Sequence, residues 1–165
     1  MKVYIGPFPE DVNEDRVEEI EIHDYDTWSM DYTLALIILP MLRQLHLTKH
    51  GAPYVDPDDV PITYKPTDAP SDDNNWVDNT HFRRWDWVLG EMIFAFENKV
   101  ADDWEDQFWT GEHDYQWKEL EDGTSEMYEG PNHTAKCDWE GRAKYQKRIT
   151  NGFRLFGKYY ENLWD

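Results

Sequence analysis

Twenty-six aromatic side chains, nine of them tryptophan, occur in a chain of 165 residues with a formal charge of −19. Those two properties oppose each other. Acidic chains that stay disordered are poor in aromatic residues, because they lack the apolar surface that offsets the entropy of ordering. This chain has that surface, so it is expected to fold and to present a strongly negative exterior. The length suits one domain, typically about 100–200 residues, and residues 1–165 are read as a single unit. A chain of this size buries roughly 70% of its unfolded surface and needs no cross-links.

The charge bounds the partners. Nucleic-acid binding rests on lysine and arginine neutralising phosphates, and here 35 acidic residues face 16 basic ones. General DNA or RNA binding and anionic membranes are therefore disfavoured, whereas basic proteins and cations are favoured. Cys137 is the single cysteine, which rules out an internal disulfide and a cysteine-built zinc site within one chain, and points to a reducing compartment. After Met1 no apolar stretch of signal-peptide length follows. Leu34–Leu42 is about half the ~20 residues of a membrane span. A soluble, cytoplasmic protein is expected.

Along the chain, Lys2–Ile5 reads as a strand, as does Arg16–His23, where Ile20 and Ile22 alternate with Glu19 and Glu21. The two are expected to pair and to bury one face. Asp26 reads as an N-cap for a helix from Thr27 to His50. Its segment Leu34–Leu42 is apolar on nearly every side, the mark of a central helix. Pro40 is expected to kink or break it, and Gly51 to end it in a left-handed conformation. Residues 52–79 form a long acidic loop with five prolines and the run Ser71-Asp72-Asp73-Asn74-Asn75. It reads as a wrapping connection pinned by Tyr54, Val55, Ile62 and Tyr64.

A second helix is expected from Thr80, with the stripe Phe82, Trp85, Leu89, Met92 and Phe96. A short helical turn follows within Asp102–Thr110. Asp122-Gly123 between Tyr115–Leu120 and Ser125–Tyr128 signals a hairpin. The last helix is expected over about Thr134–Asn162, striped by Trp139, Ala143, Ile149, Phe153, Phe156 and Tyr160, its glycines suited to close packing on Leu34–Leu42. The fold class is thus α+β, mainly α: three main helices packed around a central apolar helix, with short antiparallel strands.

Three constellations could carry chemistry. Asp31, Glu91 and Glu140 are acids on helices, and carboxylates that cluster beside apolar faces are candidates for a divalent metal site. Lys144, Lys147 and Arg148 belong to a basic C-terminal segment: residues 136–165 net +3, leaving −22 on the rest. That segment either pairs with the acidic body or forms an anion site. Trp87, Trp104, Trp109 and Trp117 exceed what a small core needs, and tryptophan is enriched at interaction hot spots. His46 and His50, four residues apart, are metal-compatible but suit a helix end equally well. No nucleophile elbow, phosphate loop or Rossmann fingerprint occurs, and Cys137 reads as a bystander.

Several stretches carry a resemblance: Met1–Pro7, Tyr25–Asp31 running on to Lys49–Pro53, Asp58–Pro61, Trp85–Met92, and Cys137–Gly141 through Phe153–Tyr160. In these the chain resembles a family of small uncharacterised proteins of tailed phages, chiefly marine and metagenomic. Members of that family carry a longer insert before the Arg16–His23 strand. The resemblance implies a viral protein acting in the cytoplasm of a bacterial host and implies no reaction. The resulting expectation is a non-enzymatic acidic protein-binding module for a basic host or viral partner, with a nucleic-acid mimic as its sharper form. No cofactor is expected. The alternatives are a carboxylate–metal hydrolase built on Asp31, Glu91 and Glu140, and a structural virion component.

Overall fold

The computed structural model describes residues 1–11, 13–68, 77–101 and 103–164. The acidic run 71–75 lies outside the described residues. In order the elements are β1 (Lys2–Ile5), β2 (Glu18–Glu21), α1 (Met30–Thr48), α2 (His81–Ala101), β3 (Trp109–Thr110), β4 (Tyr115–Glu119), β5 (Ser125–Glu129), β6 (Lys136–Cys137) and α3 (Trp139–Lys158). The class is α+β with three helices. The strands form three separate antiparallel pairs, β1–β2, β3–β6 and β4–β5.

The core follows from the α2 stripe. Trp85, Leu89 and Met92 are fully buried and Phe96 nearly so, joined by Val88 and Ala95 on the same side, whereas Phe82, the first member of the expected stripe, is exposed in the opening turn. Onto them close Ala35, Leu39 and Leu42 from α1, and Ile149, Leu155 and Tyr159 from α3. Each buried leucine or methionine contributes about 1.5–3 kcal/mol relative to exposure. α2 makes the substantial contacts with both other helices. Leu34, Leu36, Met41 and Leu47 of α1 stay exposed, so within this chain the middle helix is α2 and α1 lies to one side. The close glycine approach also falls elsewhere than expected. A methyl group on Gly152 would overlap the Glu91 carbonyl and sit 2.6 Å from Ala95 Cβ, so the tight contact is α3 on α2.

Helix ends differ from the pattern for local reasons. Asp26 accepts from the His23 amide at 2.8 Å within a short 3-10 turn, Asp24–Thr27, and α1 begins only at Met30. α1 runs through Pro40 without a break. Both Leu36 and Pro40 are exposed, a setting in which water can reach the carbonyl that loses its bond. The helix ends at Lys49 in an extended conformation, and Gly51 is not among the residues with positive φ. α3 begins at Trp139 because Asp138 caps it, accepting from Gly141 N at 3.0 Å, while Lys136–Cys137 pair with Trp109–Thr110.

The described part of the long loop is held mainly by polar groups. Val55 and Val60 are buried and Tyr64 meets the Trp87 ring, but Tyr54 and Ile62 are exposed. Arg84, fully buried, donates to the Val55 carbonyl at 3.1 Å, to Thr80 Oγ1 at 2.7 Å and to both oxygens of Asp78 at 2.6 and 2.7 Å. The Arg84 guanidinium holds the Asp78 carboxyl far below the usual carboxylate range. At the other end Tyr159 accepts from Asp56 N at 3.0 Å and donates to Asp59 at 2.7 Å.

Candidate functional site

The three candidate metal-binding acids are each matched to a different base. Asp31 pairs with Lys99 at 2.5 Å and accepts from Tyr32 N at 2.9 Å. These contacts, Lys99 first, lower its pKa, and it is an exposed group and not the buried acid its neighbours suggested. Glu91 is buried and takes Arg148 on both oxygens at 2.8–3.2 Å. The Arg148 guanidinium lies 3.7 Å over the Phe94 ring, and Glu91 raises its pKa. Glu140 pairs with Lys144 at 2.7 Å one helical turn away. These bonds tie α1 to α2, α2 to α3, and α3 to itself. Among the described residues no group of three or more His, Cys, Asp or Glu side chains gathers as a metal would require; Asp31, Glu91 and Glu140 are not brought together.

The basic segment resolves into intramolecular pairs. Arg142 meets Glu105 at 2.6 Å, Arg154 meets Asp59 at 2.8 Å, and Lys158 bridges Asp59 at 2.5 Å and Asp56 at 3.1 Å. Burial would raise the Asp59 pKa, but the hydrogen bonds from Lys158, Tyr159 and Arg154 outweigh it and leave it lowered. Of the candidate anion-binding residues, Lys144 and Arg148 are thus occupied, and Lys147 alone has no partner among the described residues. Three adjacent bases on one helix do not make an anion site when two already face carboxylates.

The four candidate interface tryptophans divide. Trp87 is half-buried beside Tyr64. Trp104 stacks on Tyr145 at 5.6 Å, with Phe108 at its edge. Trp109 is half-buried against His113 and Trp139. Trp117 is 68% exposed. Three further tryptophans are exposed, Trp28, Trp139 and Trp164, of which Trp139 was expected on the packed stripe of α3. Trp28 and Trp164 lie outside any periodic stripe. Trp139 fits the α3 stripe by spacing but sits in the first turn, where its ring meets Trp109.

Trp117 belongs to an arm. Residues 108–138 form one interrupted hairpin between α2 and α3, closed at its base by Asp138 N donating to Phe108 O at 2.8 Å. Above β3–β6, Thr134 N donates to Glu112 O at 2.9 Å, and Gly130 N to Asp114 O at 2.8 Å. Between those bonds the returning strand holds residues 131–133 against residue 113 alone, a bulge that re-aims the outer ribbon. Gly111 permits the approach: its φ is 85°, and a Cβ there would overlap the Thr134 carbonyl. Gly123, φ 81°, turns the tip, where Asp122 accepts from Thr124 N at 3.0 Å. β4 and β5 make their substantial contacts only with each other, and every residue in both is exposed.

The register sorts the arm's faces. Tyr115, Trp117 and Glu119 of β4 stand opposite Glu129, Met127 and Ser125, so one face carries Tyr115, Trp117 and Met127, 44%, 68% and 52% exposed. The other carries Gln116, Lys118, Glu126 and Tyr128. The bonds Gly130 N to Asp114 O and Leu120 N to Thr124 O place the even-numbered residues of β4 in the hydrogen-bonded pairs. The amides and carbonyls of Tyr115, Trp117 and Glu119 therefore point away from β5. Glu112, Glu119, Glu121 and Glu126 have no ion pair among the described residues. The β1–β2 ribbon repeats the design on a smaller scale: Val3, Ile5 and Ile20 share one exposed face, so this pair does not bury the face its alternation predicts.

Comparison of the chain with known protein families, with curated proteins and with solved structures finds no match. The described helices include none long and apolar enough to cross a membrane.

Proposed function

We propose that this is a non-enzymatic acidic binding protein that engages a basic protein partner through exposed aromatic and apolar surface. The observation that carries the reading is the contrast within one chain. Carboxylates of the helical layer are matched to bases, whereas Glu112, Glu119, Glu121 and Glu126 of the arm have no ion pair among the described residues and lie on the ribbon that exposes Tyr115, Trp117 and Met127. Large aromatic side chains without core contacts, rimmed by unpaired charge, have the composition of an interface. The resemblance to the tailed-phage family makes the partner a host or viral protein, met in the bacterial cytoplasm.

The apolar character of α1 fits the same reading. Hollows of about 400 Å³ and 550 Å³ share Ile38 and Phe156 and run between α1 and α3. With a partner over Leu34, Ile38 and Met41, α1 becomes the central helix its sequence describes.

Capture from bacterial lysate on the immobilised protein tests the proposal. A partner retained at about 0.05 M salt and released at about 0.5 M supports it. Release by added duplex DNA identifies the nucleic-acid-mimic form. Absence of any salt-sensitive partner overturns it.

A further inference from the structure

Resting on that binding reading, we infer that the outer edge of β4 is a docking strand for an extended, lysine- or arginine-rich segment of the partner, added as a third strand to the arm. Three independent features converge there. The first is backbone: the outward amides and carbonyls of Tyr115, Trp117 and Glu119 have no partner among the described residues, where β4 pairs with β5 alone. A free edge of this kind is a template for strand addition, and an isolated two-stranded ribbon is marginal in water without a third element.

The second feature is the face beside that edge. Alternate side chains of an added strand fall on the side of Tyr115 and Trp117. Rings continue past the ribbon, through the largely buried His133, 4.6 Å from Tyr115, and the half-buried Trp109, 4.9 Å from His113, to the exposed Trp139, 5.7 Å from Trp109. Lysine and arginine stems lie flat on such rings, and their cationic heads are attracted to the ring faces.

Charge, the third feature, selects the occupant. Residues 112–129 hold Glu112, Asp114, Glu119, Glu121, Asp122, Glu126 and Glu129 against Lys118. A second copy of this chain would bring the same acids into opposition, which is destabilising across paired strands. A helix would leave the edge amides unused. The outer edge of β5 is the poorer one: it offers Ser125, Met127 and Glu129, and Glu129 already faces His133 at 3.7 Å.

The probe is a synthetic ten-residue peptide of alternating lysine and threonine, with its glutamate–threonine counterpart as control, titrated calorimetrically into the full chain. The lysine peptide is expected to bind and the glutamate peptide not to. Amide hydrogen exchange should slow at Tyr115, Trp117 and Glu119 and stay unchanged at Ser125, Met127 and Glu129. Trp117→Ala should weaken binding about tenfold, as for an aromatic hot spot. Glu119→Lys, which leaves the apolar face intact, should also weaken it, and Trp164→Ala should leave it unchanged. Equal binding of both peptides, protection outside β4, or full affinity in both arm variants overturns the inference. So does a dimer in sedimentation that the lysine peptide fails to disperse. The two readings fail separately: a lysate partner held equally by wild type and Trp117→Ala removes the docking strand alone. Peptide binding at β4 with no lysate partner removes the wider reading.

Discussion

The helical layer and the arm use the same residue types for opposite ends. In the layer, Trp85 is fully buried and Glu91 meets Arg148. In the arm, Trp117 is 68% exposed and Glu119, two residues on, has no partner among the described residues. The difference is one of neighbours. α2 has a helix on each side, so every apolar or charged group on its inner faces finds a complement. β4 has only β5, and a two-stranded ribbon has no second layer to bury a face against. The same aromatic side chain is a core residue in one place and an unoccupied contact surface in the other.

That contrast breaks first where the layer is most tightly satisfied. Trp85→Ala and Arg84→Ala should each destabilise the protein by about 3–5 kcal/mol in urea titrations, the first by a cavity and the second by removing the buried guanidinium that holds Asp78, Thr80 and the Val55 carbonyl. Gly152→Ala should cost about 1–3 kcal/mol by forcing α3 from α2, read as a lowered urea midpoint with an unchanged slope. A loss near zero would show that the two helices can separate freely.

The next effect is on pH dependence. The carboxyls of Asp31, Asp56, Asp59 and Asp78 are held below their ordinary values. Their contribution is therefore present above the ordinary carboxylate range and is lost as pH falls through the lowered folded values. At the alkaline side, burial and the bond to Asp59 push the Tyr159 hydroxyl up to about 12 from 10.0. The unfolded chain ionises first, so stability should be full below about pH 10 and decline between about 10 and 12. Tyr159→Phe should shallow that decline in melting temperature measured across pH. An unchanged alkaline slope would place its origin elsewhere, with Lys158 the next group to examine because Asp59 raises it too.

The smallest effect sharpens the comparison most. Trp117→Ala should change stability by less than about 0.5 kcal/mol, although the same substitution at Trp85 is severe. A large loss at Trp117 would mean that the arm is packed and not free.

Much of this was legible in the chain because it is local. The β1 and β2 pairing, the start of α2 and its stripe, and the β4–β5 hairpin around Gly123 all follow from alternation, period and turn chemistry within a few residues. The candidate sites were less legible. Asp31, Glu91 and Glu140 look alike in sequence, yet each acquired a different base from a different distance along the chain: Lys99, Arg148 and Lys144. Nothing in the spacing of Trp104 and Trp117 separates them. Trp104 gained Tyr145 and Phe108, whereas Trp117 stands opposite Met127 on an exposed ribbon.

By itself, the sequence determined that the chain folds despite its charge, that three helices form, and where the hairpin turns. Only the tertiary structure decided that α2 and not α1 is the middle helix, that Thr134–Cys137 leave α3 for the base of the arm, and which tryptophans stay outside. Period and capping act over one or two turns and are written in adjacent residues. Burial and ion pairing depend on which surfaces meet, and that is a property of the whole chain.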